Sequence, residues 1–234
     1  MKAIVVLPTY NEAGNIEELI DKILLVDESI IVLVVDDNSP DGTWKIVQKM
    51  GEENTRIKLL LRTEERGRGT AGIAGFKRAL EDGGDYIIEM DADFSHNPVY
   101  LKEMLAEIEN YDIVIGSRFL EGGGERGRHP ARKYITYLAN FYIRTVLGVR
   151  VKDATSGYRC FKRAVLENID LGKMDATGPE IVQEILYGAL RKGYRVKEIP
   201  IIFEERKTGD STFNGKIMLN SLIKIPLMRM KLKK

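Results

Sequence analysis

The sequence predicts an α/β protein, a mostly parallel central sheet with helices on both faces. Two observations carry that prediction. Short apolar runs alternate with stretches of helical periodicity through the first half of the chain, the pattern of repeated β-α units. The runs are apolar throughout rather than polar at every second residue, as strands covered by helices on both faces must be. Strands linked in this way run parallel through right-handed crossovers. At 234 residues, 44% hydrophobic and 30% charged, the chain can bury the core of one domain or a domain and a half.

Taken in order, the candidate strands cover 3–7, 30–35, 57–61, 86–90 and 113–116, separated by helices over 15–25, 43–50, 70–80 and 98–108. Pro8 fixes the exit of the first strand, and Tyr10 and Glu12 beyond it offer a stacking ring and a hydrogen-bond acceptor suited to a nucleobase. The second strand ends in Val35-Asp36-Asp37-Asn38-Ser39-Pro40-Asp41-Gly42. Asp36, Asn38 and Asp41 read as turn and cap residues, and Asp37 as a base or ribose contact. After the third strand, Gly67-Arg68-Gly69-Thr70-Ala71-Gly72 matches the glycine fingerprint of dinucleotide-binding domains. That fingerprint belongs to the first β-α turn, so these glycines read instead as a tight turn with close helix packing.

The fourth strand runs into Met90-Asp91-Ala92-Asp93, two carboxylates one residue apart at the carboxyl end of a buried strand. An isolated pair of this kind is ordinarily a solvated turn. At a strand end of an open α/β sheet, however, ligands collect. Two hard oxygen ligands there suit Mg2+ or Mn2+, which keep several waters and share their shell with substrate phosphates. A phosphorylated ligand is thereby implied.

The second half is less regular. A glycine-rich loop over 121–129 leads into helices over 131–147 and 178–192 and a strand over 196–203. On 130–147, Tyr134, Leu138, Phe141, Tyr142 and Val146 recur at helical spacing beside Arg132, Lys133 and Arg144, the make-up of an interfacial amphipathic helix. The stretch 216–234 mixes Ile217, Leu219, Leu222, Ile223, Leu227 and Met228 with Lys224, Arg229, Lys231, Lys233 and Lys234, and reads as a basic helix lying on anionic lipid. Pro226 is expected to kink or break it. Trp44 and Cys160 read as packing residues, His96 as a residue supporting the cation turn, and Asp153, Glu180 and Glu184 as structural.

The net charge of +1 argues against a general nucleic-acid binder. A single cysteine fits a reducing, cytoplasmic setting. The first apolar run is too short for a secretory signal, and no segment reaches the roughly 20 apolar residues of a spanning helix, so a soluble or peripheral protein is expected.

Pro8-Thr9-Tyr10-Asn11-Glu12, Asp36-Asp37-Asn38-Ser39-Pro40-Asp41-Gly42, Gly69-Thr70-Ala71, Met90-Asp91-Ala92-Asp93-Phe94-Ser95-His96 and Gly116-Ser117-Arg118 stand together in order. Thr155-Ser156-Gly157-Tyr158-Arg159 and Glu198-Ile199-Pro200-Ile201 follow. This ordered set resembles the family 2 glycosyltransferases, specifically the dolichyl-phosphate mannose synthase group, over nearly the whole chain. The resemblance implies a GT-A fold and inverting, metal-dependent transfer of mannose from GDP-mannose to dolichyl or another polyprenyl phosphate at the cytoplasmic face of a membrane. A related enzyme using another donor such as UDP-glucose is the alternative. A separate membrane-anchoring protein partner is left open.

By the same resemblance, Pro8, Tyr10, Glu12, Val35 and Asp37 would hold the guanosine, and Asp91, Ala92 and Asp93 would meet the metal-diphosphate region. Ser95 would stand near the Mg2+ or Mn2+, Arg118 would face reacting phosphate groups, and Arg206 would bind the donor diphosphate. Group members carry a lysine six residues after that arginine; here Thr212 stands there, with Lys207 or Lys216 as substitutes. Residues 1–210 would form the catalytic domain and 211–234 a membrane-association segment.

A phosphate acceptor also agrees with elementary chemistry. A phosphate monoester with a second pKa of about 6 is largely dianionic at neutral pH and needs no general base. Arginine forks must position it instead, and Arg118, Arg132 and Thr136 are the candidates.

Overall fold

The computed structural model describes residues 1–64, 66–174, 178–205 and 215–231, the last stretch with side chains over 222–230. The first half builds β1 (Ala3–Thr9), α1 (Ile16–Leu24), β2 (Ile30–Asp36), α2 (Thr43–Glu53), β3 (Ile57–Leu61), α3 (Arg68–Glu81), β4 (Tyr86–Glu89), α4 (Leu101–Glu107) and β5 (Ile113–Ser117). The second half adds β6 (Gly124–Arg126), α5 (Pro130–Leu147), β7 (Arg159–Lys162), α6 (Arg163–Asn168), α7 (Ile181–Arg191), β8 (Val196–Pro200), β9 (Ile202–Glu204) and α8 (Gly215–Lys231).

A seven-stranded sheet of order β3-β2-β1-β4-β7-β5-β8 forms the centre, and β6 pairs with β9 in a separate ribbon. All neighbours in the large sheet run parallel except β7, which is antiparallel to β4 and β5. Side chains alternate between faces, and both faces are buried. Ile4, Val6, Leu33 and Val35 pack with Phe76, Ile143 and Leu186 on one side. Val5, Leu7, Val32 and Val34 pack with Ile16, Leu19, Val47 and Leu101 on the other. This two-sided burial is the reason the strand sequences are apolar throughout. Each such side chain contributes roughly 1.5–3 kcal/mol.

Three features depart from the sequence expectations. Strand β7, missed because it is short and begins and ends in charge, inserts between β4 and β5. The single strand expected over 196–203 is two. β8 pairs with β5 as far as Pro200; the chain then turns at Ile201 and β9 joins β6. The helix α8 runs through Pro226 without a break. Proline removes the donor that would reach the carbonyl of Leu222 four residues back. The Tyr142 hydroxyl supplies that donor at 2.7 Å, so a residue of α5 repairs the defect in α8.

Helix α3 lies unusually close to the sheet, as the glycine-rich stretch implied. A Cβ on Gly75 would stand 2.4 Å from Val6 Cγ1 and 3.0 Å from Val35 Cγ2, both in the sheet. Gly75→Ala is therefore expected to destabilise the protein by about 1–3 kcal/mol through overpacking, measured as a lower urea midpoint at unchanged slope.

Candidate active site

The carboxyl ends of β1, β2 and β4 carry Asn11, Asn38 and Phe94, whose φ angles are 61°, 53° and 62°. Among the described residues these are the non-glycine residues with positive φ. Such conformations cost about 1–3 kcal/mol and persist where the surroundings over-determine them, typically at functional turns. All three follow strands at one edge of the sheet.

The turn readings at this edge hold. Asp36 accepts hydrogen bonds from the Thr9 hydroxyl at 2.9 Å and from the amide and hydroxyl of Ser39 at 2.7 and 2.8 Å, locking β1 to β2. Asp41 accepts from the amides of Ala13 and Thr43, both at 3.0 Å. Asp37 faces the glycine loop instead. Its carboxylate takes the Gly67 amide at 2.8 Å and lies 3.1 Å from the Arg62 guanidinium. Burial pushes this carboxyl above its ordinary value, against the opposing pull of Gly67 and Arg62.

Tyr10 is exposed, with the Arg66 guanidinium 5.6 Å from its ring centroid. The Glu12 amide donates to Thr43 Oγ1 at 2.9 Å, and its carboxylate accepts from Asn15 at 2.9 Å. Pro8 is half-buried on β1, and Val35 lies within the core of β2. These elements line one end of the sheet, with Asp37 and Tyr10 on neighbouring strand ends.

The turn that carries Asp91 and Asp93 follows β4. Asp93 is 6% exposed, and its Oδ1 accepts the Ser95 amide at 3.1 Å. The Asp91 amide donates to His96 Nδ1 at 2.9 Å, so His96 is the acceptor there. Burial keeps the imidazole below its ordinary value despite the Asp91 and Asp93 charges. His96 stacks on Tyr158 with centroids 4.9 Å apart and supports the turn from beneath. Ala92 is buried between the two aspartates.

The residues fit a hard divalent cation on one further observation. Ser95 Oγ is buried beside Asp93 and makes no hydrogen bond among the described residues. A hydroxyl oxygen without a hydrogen-bond partner, on the same turn as two carboxylates, adds a third hard oxygen of the kind Mg2+ or Mn2+ takes. Among the described residues no group of three or more His, Cys, Asp or Glu side chains converges. A cation here would thus take the rest of its shell from water and ligand.

Arg118, at the end of β5, is nine-tenths buried. Its Nε and one terminal nitrogen each lie 2.8 Å from an oxygen of Asp153, a bidentate pair. It also donates to Thr155 Oγ1 at 2.6 Å and to Glu125 at 3.3 Å. Burial would raise the Asp153 carboxyl, but the charge and hydrogen bonds of Arg118 hold it below the ordinary carboxylate value. Arg118 is thereby one braced wall of a groove of about 500 Å³, shared with Phe119, Glu125, Lys133, Tyr134 and Tyr137. Arg132, which does not line this groove, pairs with Glu205 at 2.5 Å, and Arg128 pairs with Glu125 at 2.6 Å. Thr136 lies one turn beyond Arg132 on α5, half-buried. Arg206, Lys207, Thr212 and the side chain of Lys216 lie outside the described residues.

Sequence reasoning missed Arg62, Arg68, Glu89, Glu125 and Arg128. A signal existed for Glu89, a charge inside an apolar run. For the arginines the signal is in the tertiary pairing alone.

The family model described as Glycosyl transferase family 2 matches residues 4–170. The chain belongs to this family. It is 36% identical over 226 residues to a polyprenol monophosphomannose synthase of Mycolicibacterium smegmatis, covering 96% of this chain and 85% of that one. An undecaprenyl-phosphate mannosyltransferase of Micrococcus luteus is 36% identical, covering 96% and 93%. A dolichol-phosphate mannosyltransferase of Pyrococcus furiosus is 37% identical, covering 95% of this chain and 62% of that longer one. Among solved structures, glucosyl-3-phosphoglycerate synthase from Mycobacterium tuberculosis, in complex with Mn2+ and UDP, superposes with a TM-score of 0.69 at 17% identity, over 99% of this chain and 79% of that one. The fold is that of the GT-A glycosyltransferases, and the protein is a glycosyltransferase.

The Arg118-Asp153 pair makes a testable demand on stability. Asp153→Asn is expected to cost about 3–5 kcal/mol at about pH 7, because it leaves a buried guanidinium under-compensated. The folded carboxyl titrates below its unfolded value, so its contribution is complete above the ordinary carboxylate range and is lost as pH falls through the folded value. Urea unfolding of both proteins from about pH 7 to about pH 3 should show the gap closing.

Proposed function

We propose that this glycosyltransferase moves mannose from GDP-mannose to the phosphate of a polyprenyl lipid such as dolichyl phosphate, with inversion at the anomeric carbon and with Mg2+ or Mn2+. The carrying observation is the pair Asp91 and Asp93 at the carboxyl end of β4, on one turn with a Ser95 hydroxyl that has no hydrogen-bond partner among the described residues. The names of the M. smegmatis, M. luteus and P. furiosus relatives support the mannosyl and polyprenyl-phosphate parts of the reading. A mannosyltransferase of the same fold from Pyrobaculum calidifontis, described with GDP-mannose and Mn2+, agrees with the donor at the level of fold, with 21% identity and a TM-score of 0.56.

In this reading Tyr10, Glu12 and Asp37 receive the guanosine, with Pro8 and Val35 shaping the strand ends behind it. Asp91, Asp93 and Ser95 hold the cation, with Ala92 packed between the aspartates. Bound there, the cation supplies positive charge to the departing diphosphate. Arg206, outside the described residues, is assigned to the donor diphosphate on the resemblance alone.

The acceptor enters along the groove beside α5. Arg132 and Thr136 orient its phosphate, and Arg118, held by Asp153, Glu125 and Thr155, lines the inner end as a hydrogen-bonding guanidinium. One oxygen of the dianion attacks the anomeric carbon opposite the leaving diphosphate, and the sugar-diphosphate bond breaks as the new ester forms. The dianion carries no proton to remove, so no side chain is needed as a base.

A lipid acceptor also explains the outer surface. Tyr134, Tyr137, Leu138 and Phe141 of α5 and Ile223, Leu227 and Met230 of α8 are exposed, and the two helices pack side by side. No helix among the described residues is long and apolar enough to cross a membrane. We assign residues 1–210 to catalysis and 211–234 to membrane association at the cytoplasmic face. The inner side of α8 closes the core through Ile225 and Met228.

Labelled mannose should pass from GDP-mannose into an organic-extractable lipid when dolichyl phosphate and Mn2+ or Mg2+ are supplied, and a chelator should abolish it. Asp91→Asn and Asp93→Asn should lower that rate by more than about a hundredfold. Full activity in either variant, or label arriving from UDP-glucose alone, overturns the assignment. Leu138→Ser combined with Phe141→Ser should weaken sedimentation with anionic vesicles by at least about tenfold at unchanged melting temperature.

A further inference from the structure

Glu89 is the charged end of an apolar strand, and its side chain is 1% exposed. Its compensation comes from Arg68, at the start of α3. One terminal nitrogen of that guanidinium lies 2.5 Å from Glu89 Oε1, and the other lies 3.1 Å from Asp91 Oδ1. A single arginine thus bridges a carboxylate behind the sheet edge and the first carboxylate of the cation turn.

The passage it occupies is built from residues without side chains. A Cβ on Gly72 would stand 3.0 Å from Glu89 Oε1, and one on Gly157 would stand 3.3 Å from the Arg68 terminal nitrogen. Gly67, whose φ is 136°, turns the chain so that its amide meets Asp37 while the next side chain reaches Asp91. Successive residues therefore touch the nucleoside end and the cation end of the site.

We propose that Arg68, anchored by Glu89, makes firm binding of the divalent cation at Asp91 depend on the donor's diphosphate. The inference rests on the reading of Asp91 and Asp93 as cation ligands. The guanidinium engages one oxygen of Asp91, and His96 Nδ1 lies 3.8 Å from the other. The fixed positive charge of Arg68 opposes a dication arriving alone and attracts the diphosphate that arrives with it. Cation and nucleotide then favour each other reciprocally. Glu89 acts with the opposite sign, because removing it leaves the site more positive.

The test is a Mn2+ titration followed by electron paramagnetic resonance, with and without GDP. It compares the intact enzyme with Arg68→Gln, Glu89→Gln and the double variant. Arg68→Gln should bind Mn2+ alone about tenfold more tightly and show a smaller gain on adding GDP, on the usual scale of coupling between sites. Glu89→Gln should bind Mn2+ alone more weakly and gain more from GDP. The double variant leaves no buried carboxylate unpaired, so it tests Arg68 even where the single variant fails to fold. It should bind Mn2+ more tightly than Glu89→Gln.

A merely structural Arg68 would weaken Mn2+ in every variant, or leave the double variant equal to Glu89→Gln; either result overturns the inference while the cation site stands. An intact enzyme that takes up no Mn2+ even with GDP overturns both readings.

Discussion

Carboxylates buried at the edge of an apolar sheet have to be held by neighbouring donors, and this requirement organises the whole carboxyl edge. Each acid there is met by a group from a different element. Asp36 takes Thr9 and Ser39 and joins β2 to β1. Asp37 takes Gly67 and joins β2 to α3. Glu89 takes Arg68 and joins β4 to the same helix. Asp153 takes Arg118 and is itself placed by Glu198 of β8, which accepts the amides of Lys152 and Asp153 at 2.7 and 2.8 Å. The bonds that neutralise the edge also tie its strands and loops into one rigid frame.

That frame separates what must be fixed from what must receive a ligand. Asp153 and Glu89 lie behind the site and are fully paired to arginines. The buried Ser95 Oγ has no hydrogen-bond partner among the described residues, and Tyr10 is open to solvent. The ribbon of β6 and β9 connects the two regions. The Glu204 amide donates to the Ser95 carbonyl at 3.2 Å, and the Ile202 amide to the Tyr100 hydroxyl at 2.9 Å. The ribbon beside the groove is thus bonded to the turn after β4 through the Glu204 amide.

The outer layer follows a different rule. Helices α5 and α8 satisfy their backbone groups between themselves, through Tyr142 at Leu222 and through the Arg229 guanidinium at 2.6 Å from the carbonyl of Val146. Lys224 pairs with Glu180 at the start of α7. These polar contacts join the two helices, and aromatic and aliphatic side chains of both are exposed beside them. Such a surface has low cost against lipid and high cost against water.

Much of this was legible in the chain alone. Two-sided burial imposes uniform apolar runs, so the strands of the first half and their parallel order could be read directly. Turn chemistry is local, so Asp36 and Asp41 could be assigned to their turns, and the pairing of Asp91 with Asp93 stood out at a strand end. Long-range partnership could not be read. Arg68 and Glu89 lie apart in the chain and meet because two glycines leave room between α3 and β4. Strand β7 has too few residues to show a period, and its place between β4 and β5 depends on edges formed elsewhere. Local patterns report which face of an element is buried; which charge neutralises which is settled by packing, because electrostatic pairing acts through space and not along the chain.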